Sequence, residues 1–363
     1  MKHITFFLCT YSSGGAEHQV CELSHMLLAH GCAISIVTFG DAPDHYRMHN
    51  SIERVRLGVG KSNLGKFMAI FRFFFSVKTD CVLSFGQRES FLALIPLLFR
   101  PKIKVLAGER NFTVGKPTRY ENILVKWLYK RANYIVPNSF SQTEYLTQLA
   151  PKYKDKIITI TNYTDLVHYS YFKPPQNSPK LVIGAFCRYA EQKNYARLAQ
   201  AIKLLKDKNI SNFIFHWYGN KYVRDGVYCD GYVEFSKLIE EFGIDDMIVL
   251  YDHIRDVLPI VHNCDAVCVP SLHEGWSNTI SEAICCGKPL LVSDVSDNSR
   301  MVLQGQNGFL FNPYDIGEIA TAIEQFVSLS MEERTAMGVK SRRIAESLFD
   351  KETFCNRYLE LIG

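Results

Sequence analysis

Short, continuous apolar runs alternate with helix-patterned stretches along this whole chain, and that alternation limits the fold class more tightly than any motif does. In the first half the runs lie at residues 4–9, 34–39, 81–85, 104–107, 134–137 and 157–160. In the second half they lie at 181–186, 213–218, 248–250, 266–269 and 290–292. A strand apolar on both faces must be covered on both faces, which is the property of a parallel sheet flanked by helices. Helical stretches such as 16–30 and 120–131 supply the crossovers. Two such series predict an α/β protein with two doubly wound, Rossmann-like domains. Between them, residues 171–179 are rich in Pro, Asn and Ser and cannot continue a helix. The expected domains are 1–178 and 179–345, with a closing helix over 346–363.

Composition excludes several classes. No run approaches the ~18 apolar residues of a spanning helix; the nearest, 91–99, is half that length and contains Pro96. The N-terminal MKHITFFLC reads as a first strand, because its apolar run is short and no small-residue cleavage pattern follows. The 11 cysteines are odd in number and form no C-x-x-C pair. They read as reduced, buried thiols of a cytosolic protein and not as zinc ligands. Charge is uneven: up to Ser178 there are 22 Lys and Arg against 12 Asp and Glu, and beyond it 19 against 25. The basic first half is expected to face something anionic, such as a membrane surface or a lipid diphosphate. Nucleic acid is not expected, since no base-reading motif accompanies the charge. Within that half, residues 66–75 interleave phenylalanines with Lys66 and Arg72. Such a helix either packs its aromatic face in the core or lies on a membrane interface.

The richest chemistry lies in residues 270–294, PSLHEGWSNTISEAICCGKPLLVSD. A strand ends at Pro270, and a turn carries Glu274, Gly275, Trp276, Ser277, Asn278 and Thr279. A helix with Glu282 follows, and Gly287-Lys288-Pro289 leads into the next strand. Two carboxylates thus flank a helix N-terminus, whose unpaired N–H groups and dipole favour an anion. A carboxylate accepts from two vicinal hydroxyls at once. A phosphate between two such groups is the chemistry of a sugar nucleotide. Glu282 on its own also reads as a first-turn acid complementing the dipole.

This stretch resembles the Glu-x7-Glu signature of the retaining glycosyltransferases of family 4, which have the GT-B fold, and the likeness extends over nearly the whole chain. The resemblance implies two Rossmann-like domains facing across a cleft, with the acceptor in the first and a nucleoside diphosphate sugar in the second. It implies that the last helix crosses back onto the first domain. Glu274 resembles the glutamate that holds donor-sugar hydroxyls, Gly275 to Thr279 line sugar and phosphate, and Glu282 binds the ribose. Many members read Glu-Gly-Phe-Gly, whereas Trp276 and Ser277 stand here and leave donor identity open. Gly184, Arg188, Lys193 and Asn194 resemble the family's Gly-x-x-x-Arg segment with its Lys-Asn. Arg188 and Lys193 would neutralise the pyrophosphate, although exposed cations are common at any surface. Ser12-Ser13-Gly14-Gly15 is no Walker loop; it resembles the family's Gly-Gly loop, and Gly15 is the expected diphosphate contact, though a plain tight turn fits equally. Gly108-Glu109-Arg110-Asn111 resembles a bacterial surface-polysaccharide subgroup. There Glu109 would take an acceptor hydroxyl or steady the reacting centre, with Arg110 and Asn111 binding substrate; a salt-bridged loop is the alternative.

The implied function is retaining hexosyl transfer from a UDP- or GDP-sugar to a glycan acceptor, lipid diphosphate-linked, at the cytoplasmic membrane face, as in O-antigen or capsule assembly. No Asp-x-Asp is present, so neither metal nor cofactor is expected. The alternatives are a sugar-nucleotide epimerase of the same fold, or a non-catalytic nucleotide-sugar-binding partner of another transferase.

Overall fold

The computed structural model describes residues 1–12, 14–110, 117, 119–172, 180–224 and 226–363, without the side chain of Tyr120. The chain divides into two compact units, Met1–Tyr163 with Asp350–Gly363, and Thr164–Phe349.

The first unit runs β1 (His3–Leu8), α1 (Gly15–Ala29), β2 (Ala33–Thr38), β3 (Glu53–Arg56), α2 (Asn63–Ser76), β4 (Cys81–Phe85), α3 (Gln87–Leu97), β5 (Lys104–Glu109), α4 (Arg119–Ile123), β6 (Tyr134–Pro137) and α5 (Phe140–Leu149). Its six strands are all parallel, in the order β3-β2-β1-β4-β5-β6. Central strands are buried along their length, as their unbroken apolar sequence requires. Side chains such as Phe7, Val82, Val105 and Leu94 pack with Ile70 and Phe74 of α2 in one core.

The second unit runs β7 (Leu181–Phe186), α6 (Tyr195–Asp207), β8 (Phe213–Tyr218), β9 (Tyr222–Arg224), β10 (Val227–Tyr228), α7 (Asp230–Phe242), β11 (Ile248–Tyr251), α8 (Leu258–His262), β12 (Ala266–Val269), α9 (Asn278–Cys285), β13 (Leu290–Ser293), β14 (Gly308–Phe311), α10 (Ile316–Ser328) and α11 (Met331–Leu348). Its parallel sheet has the order β11-β8-β7-β12-β13-β14, and β9 and β10 form a separate antiparallel hairpin. Residues 164–172 belong to this unit: the Arg342 guanidinium donates to the carbonyls of Leu166 (3.2 Å), Tyr169 (3.0 Å) and Cys285 (2.7 Å). The last helix, α12 (Lys351–Ile362), packs with α1 of the first unit and buries Phe354, Tyr358, Leu361 and Ile362.

Four elements differ from the sequence expectation. Residues 157–160 run beside β6, with Ile158 N donating to Ile135 O, but pair with it through one isolated bridge only. β3 and β14 are strands the apolar pattern did not disclose. Both are sheet edges, and β3 reads Glu-Arg-Val-Arg because an edge needs no second apolar face. The helix expected over 120–131 is α4 followed by a π-turn over Leu124–Leu128, where Tyr129 N reaches back to Leu124 O at 2.9 Å. All 11 cysteines are unpaired, and most are buried. Among the described residues no helix is long and apolar enough to cross a membrane.

Candidate functional site

In the second sheet the winding reverses between β7 and β12: from β7 the chain steps to β8 on one side, and from β12 to β13 on the other. A parallel sheet opens a crevice at the carboxyl ends of its strands at such a point. The loops that leave β7 and β12 carry the second-half residues singled out from sequence.

After β7, Arg188 is exposed while its neighbour Tyr189 is buried, its hydroxyl donating to Tyr251 O at 2.7 Å. That anchor leaves the guanidinium facing outward. A short 3-10 turn, Glu191–Lys193, follows, and Asn194 then takes the left-handed conformation (φ 58°) before α6 starts. The Asn194 side chain donates to Pro313 O at 2.8 Å, which fixes where α6 begins.

After β12, the turn through Pro270 and Ser271 leads to Glu274, and Ser277 caps α9 by accepting from Ile280 N. The two loops are laced together. Leu272 N donates to Gln192 O at 2.8 Å, and the Gln192 amide donates back to His273 O at 2.9 Å. Beside these bonds, Lys193 Nζ donates to Glu274 Oε1 at 2.5 Å, with side chains 15% and 13% exposed. Burial alone lowers the Lys193 pKa; Cys187 and Glu274 more than reverse this, so the ammonium form is favoured. Ser296, itself at φ 52°, donates from Oγ to Glu274 O at 2.6 Å and holds the turn from its other side.

Gly275, Asn278 and Thr279 are partly exposed at the α9 N-terminus, whereas Trp276 and Ser277 are buried. Trp276 Nε1, Ser271 Oγ and Ser293 Oγ are buried without a hydrogen-bond partner among the described residues. Glu282 lies in the second turn of α9, partly exposed; burial pushes its carboxyl up to about 7, with a Tyr169 hydrogen bond pulling the other way. Lys193 and Glu274 thus meet beside the loop that leads into the α9 N-terminus, and Glu282 lies one turn further along that helix. A cation, a hydroxyl-accepting carboxylate and a helix N-terminus make a donor set for a phosphorylated polyol. Sequence reasoning missed Gln192 and Ser296. Nothing in a sequence flags a backbone lace, and a serine at positive φ carries no signature.

The remaining predicted residues belong to the first unit. Gly15 is exposed in the first turn of α1, next to the extended cap residue Gly14. A Cβ on Gly14 would meet the Glu17 carboxylate at 2.2 Å, so that glycine makes room for the helix's own acid. Arg110 follows β5, stacks on the Phe85 ring at 4.4 Å and donates to the Tyr358 hydroxyl at 2.7 Å and to Asn162 Oδ1 at 3.4 Å. Asn111 lies outside the described residues. Glu109 is fully enclosed. Its side chain is 0% exposed and accepts a short hydrogen bond from the Tyr129 hydroxyl. Burial pushes its carboxyl up to about 8, with the nearby Glu121 and Glu89 adding to the rise.

Comparison with known proteins places these observations. Residues 170–344 match the family described as Glycosyl transferases group 1, and residues 13–168 match Glycosyltransferase Family 4. A lipopolysaccharide core biosynthesis glycosyltransferase, LpsE of Rhizobium meliloti, is 23% identical over 241 residues, which span 65% of this chain and 65% of that protein's length. An N-acetylgalactosaminyltransferase of Campylobacter jejuni, named for a diphospho-undecaprenol substrate, is 22% identical over 323 residues, 83% of each chain. In three dimensions, HepE of Anabaena, solved with UDP and glucose, superposes with a TM-score of 0.82 at 17% identity, covering 99% of both chains. Each half carries one profile and the two parallel sheets follow the GT-B architecture, so the chain belongs to the group 1/family 4 glycosyltransferases.

Proposed function

We propose that this protein transfers a hexose-type sugar from a nucleoside diphosphate sugar to a hydroxyl of a lipid diphosphate-linked glycan, with retention of configuration, in the assembly of a cell-surface polysaccharide. The observation that carries this reading is the Lys193–Glu274 pair at the point where the loops after β7 and β12 meet above the α9 N-terminus. In this reading Lys193 and Arg188 take the diphosphate, Glu274 orients the sugar hydroxyls, and Glu282 accepts from the ribose. Gly275 to Thr279 offer backbone to sugar and phosphate, and Gly15, Arg110 and Asn111 bind substrate in the first unit. Leaving-group charge is carried by cations and helix N–H groups, so the reaction needs no metal. The departing phosphate oxygen takes the acceptor proton on the same face, so the protein's contribution is positioning and charge stabilisation. The relatives named for lipopolysaccharide core and diphospho-undecaprenol substrates support the acceptor class, and the neighbour holding UDP supports the donor class.

The test is to offer purified protein UDP- and GDP-hexoses with a polyprenyl-diphosphate-linked sugar in the presence of EDTA. Transfer with the anomeric configuration of the donor, seen by NMR of the product, is expected. Inverted product, or epimerised donor without transfer, contradicts the reading.

A further inference from the structure

The first unit exposes large apolar side chains on three elements. They are Leu64 (74%), Met68 and Phe75 (54%) on α2, Leu98 and Phe99 (64%) just past α3, and Trp127 (64%) on the π-turn. Residues 64, 68, 71 and 75 recur at helical spacing and form one stripe, along which the Phe71 and Phe75 rings stack at 6.1 Å. Ile70 and Phe74 point the other way, into the core. The helix thus has two apolar faces, and core packing accounts for one of them.

The three elements are clamped together. The Arg100 guanidinium donates to Phe75 O and, at 3.1 Å, to Val77 O. Arg131 donates to Leu97 O (2.7 Å), Arg100 O (2.7 Å) and Ile103 O (2.6 Å). Phe75, the Leu98–Phe99 pair and the turn that follows Trp127 therefore lie close together on a fixed surface. Over residues 61–79, 97–104 and 122–133 the sequence has ten Lys and Arg and no Asp or Glu. An occupant must then be anionic and must also accept hydrocarbon. A second copy meeting this face across a two-fold axis would set cations against cations. Nucleic acid would satisfy the charge but leave Leu64, Met68 and Phe99 in water.

We propose that this face docks on an anionic bilayer surface, with α2 lying in the headgroup plane, Phe75, Phe99 and Trp127 entering it, and Arg72, Lys78, Lys102, Lys126 and Lys130 meeting lipid phosphates. Its purpose rests on the reading of a lipid-linked acceptor, but its test uses neither donor nor acceptor, so the two fail separately.

The structure supplies the reporter. Of three tryptophans, Trp217 and Trp276 are buried and Trp127 alone is exposed, so a blue shift of emission on vesicle addition reports Trp127. The full chain is mixed with vesicles of phosphatidylcholine alone, or of equimolar phosphatidylcholine and phosphatidylglycerol, and sedimented. Binding and a blue shift only with the anionic vesicles are expected, weakening steeply with salt. Both Phe75→Ser/Phe99→Ser and Arg72→Glu/Lys102→Glu should lower vesicle affinity by roughly five-fold or more per residue, with Tm unchanged because all four side chains are exposed. Any of four results overturns the proposal: equal binding to neutral vesicles, no vesicle binding, variants that bind like the parent, or a duplex DNA fragment bound in place of vesicles.

Discussion

Lys193 and Glu274 are separated by 81 positions in the chain, yet their charged atoms lie 2.5 Å apart. Both side chains are largely withdrawn from water, so breaking the pair leaves one charge poorly solvated. Lys193→Met alone, or Glu274→Gln alone, is expected to cost about 1–3 kcal/mol, and the double variant less than the sum. A urea-unfolding double-mutant cycle reads this directly; additive losses would mean the ions do not interact. Glu109 gives a second prediction at this scale. Its carboxyl is raised from 4.5 to about 8, so the fold favours its neutral form, and that stability drains away as pH climbs from about 4.5 through about 8. Glu109→Gln keeps the shape without an ionising group. The Tm difference, variant minus parent, should therefore rise from acid to alkaline pH; parallel curves would place an ionised carboxylate there. These residues were legible to different degrees. Glu274 and Glu282 stood out because their spacing brackets a helix start. Their link to Lys193 depended on family likeness, since no pattern reports proximity across 81 positions. The enclosure of Glu109 was not legible, because it depends on Tyr129 being brought round by the π-turn.

At the scale of elements, the fully buried strands were readable from their apolar runs, and Ser277, Ser139 and Asp350 each cap the helix that follows through their side chains. Edges were harder: β3 is charged and only partly buried, while β14 is a short run of four residues that opens on a glycine. The end of α9 shows why a particular residue is needed. Gly287 stands at φ 69°, and a Cβ there would lie 2.3 Å from the Tyr171 ring and 3.2 Å from Gly338 O. The Gly338 Cβ position in turn meets Gly287 O at 2.4 Å, so α9 and α11 approach backbone to backbone. Gly287→Ala combines a left-handed backbone with a collision and should cost roughly 2 kcal/mol or more. Chemical denaturation of the variant checks this; a loss below about 0.5 kcal/mol would mean that Tyr171 swings aside freely.

At the scale of the whole molecule, the chain closes its first unit with its last helix. Phe354, Cys355, Tyr358, Leu361 and Ile362 are buried there, Tyr358 takes the Arg110 hydrogen bond, and Arg357 donates to Thr159 O. Buried side chains of this kind stabilise by about 2 kcal/mol each, against a total margin of roughly 5–15 kcal/mol for a domain. Ending the chain at Phe349 should therefore loosen the first unit and leave the second intact. Hydrogen exchange is the check: protection should collapse in β1 to β6 and persist in β7 to β14. Unchanged protection in both would show that α12 is an accessory. The second unit, left folded, should still hold its ligand, because Lys193, Glu274 and Glu282 all belong to it. That site is the central claim, and ligand-dependent thermal stabilisation tests it most directly. UDP-, GDP- and dTDP-sugars are screened against the parent protein and Lys193→Ala with EDTA present. Stabilisation by one nucleotide class, lost in the variant, is the predicted result. An equal shift in parent and variant, or none with any donor, would contradict the site.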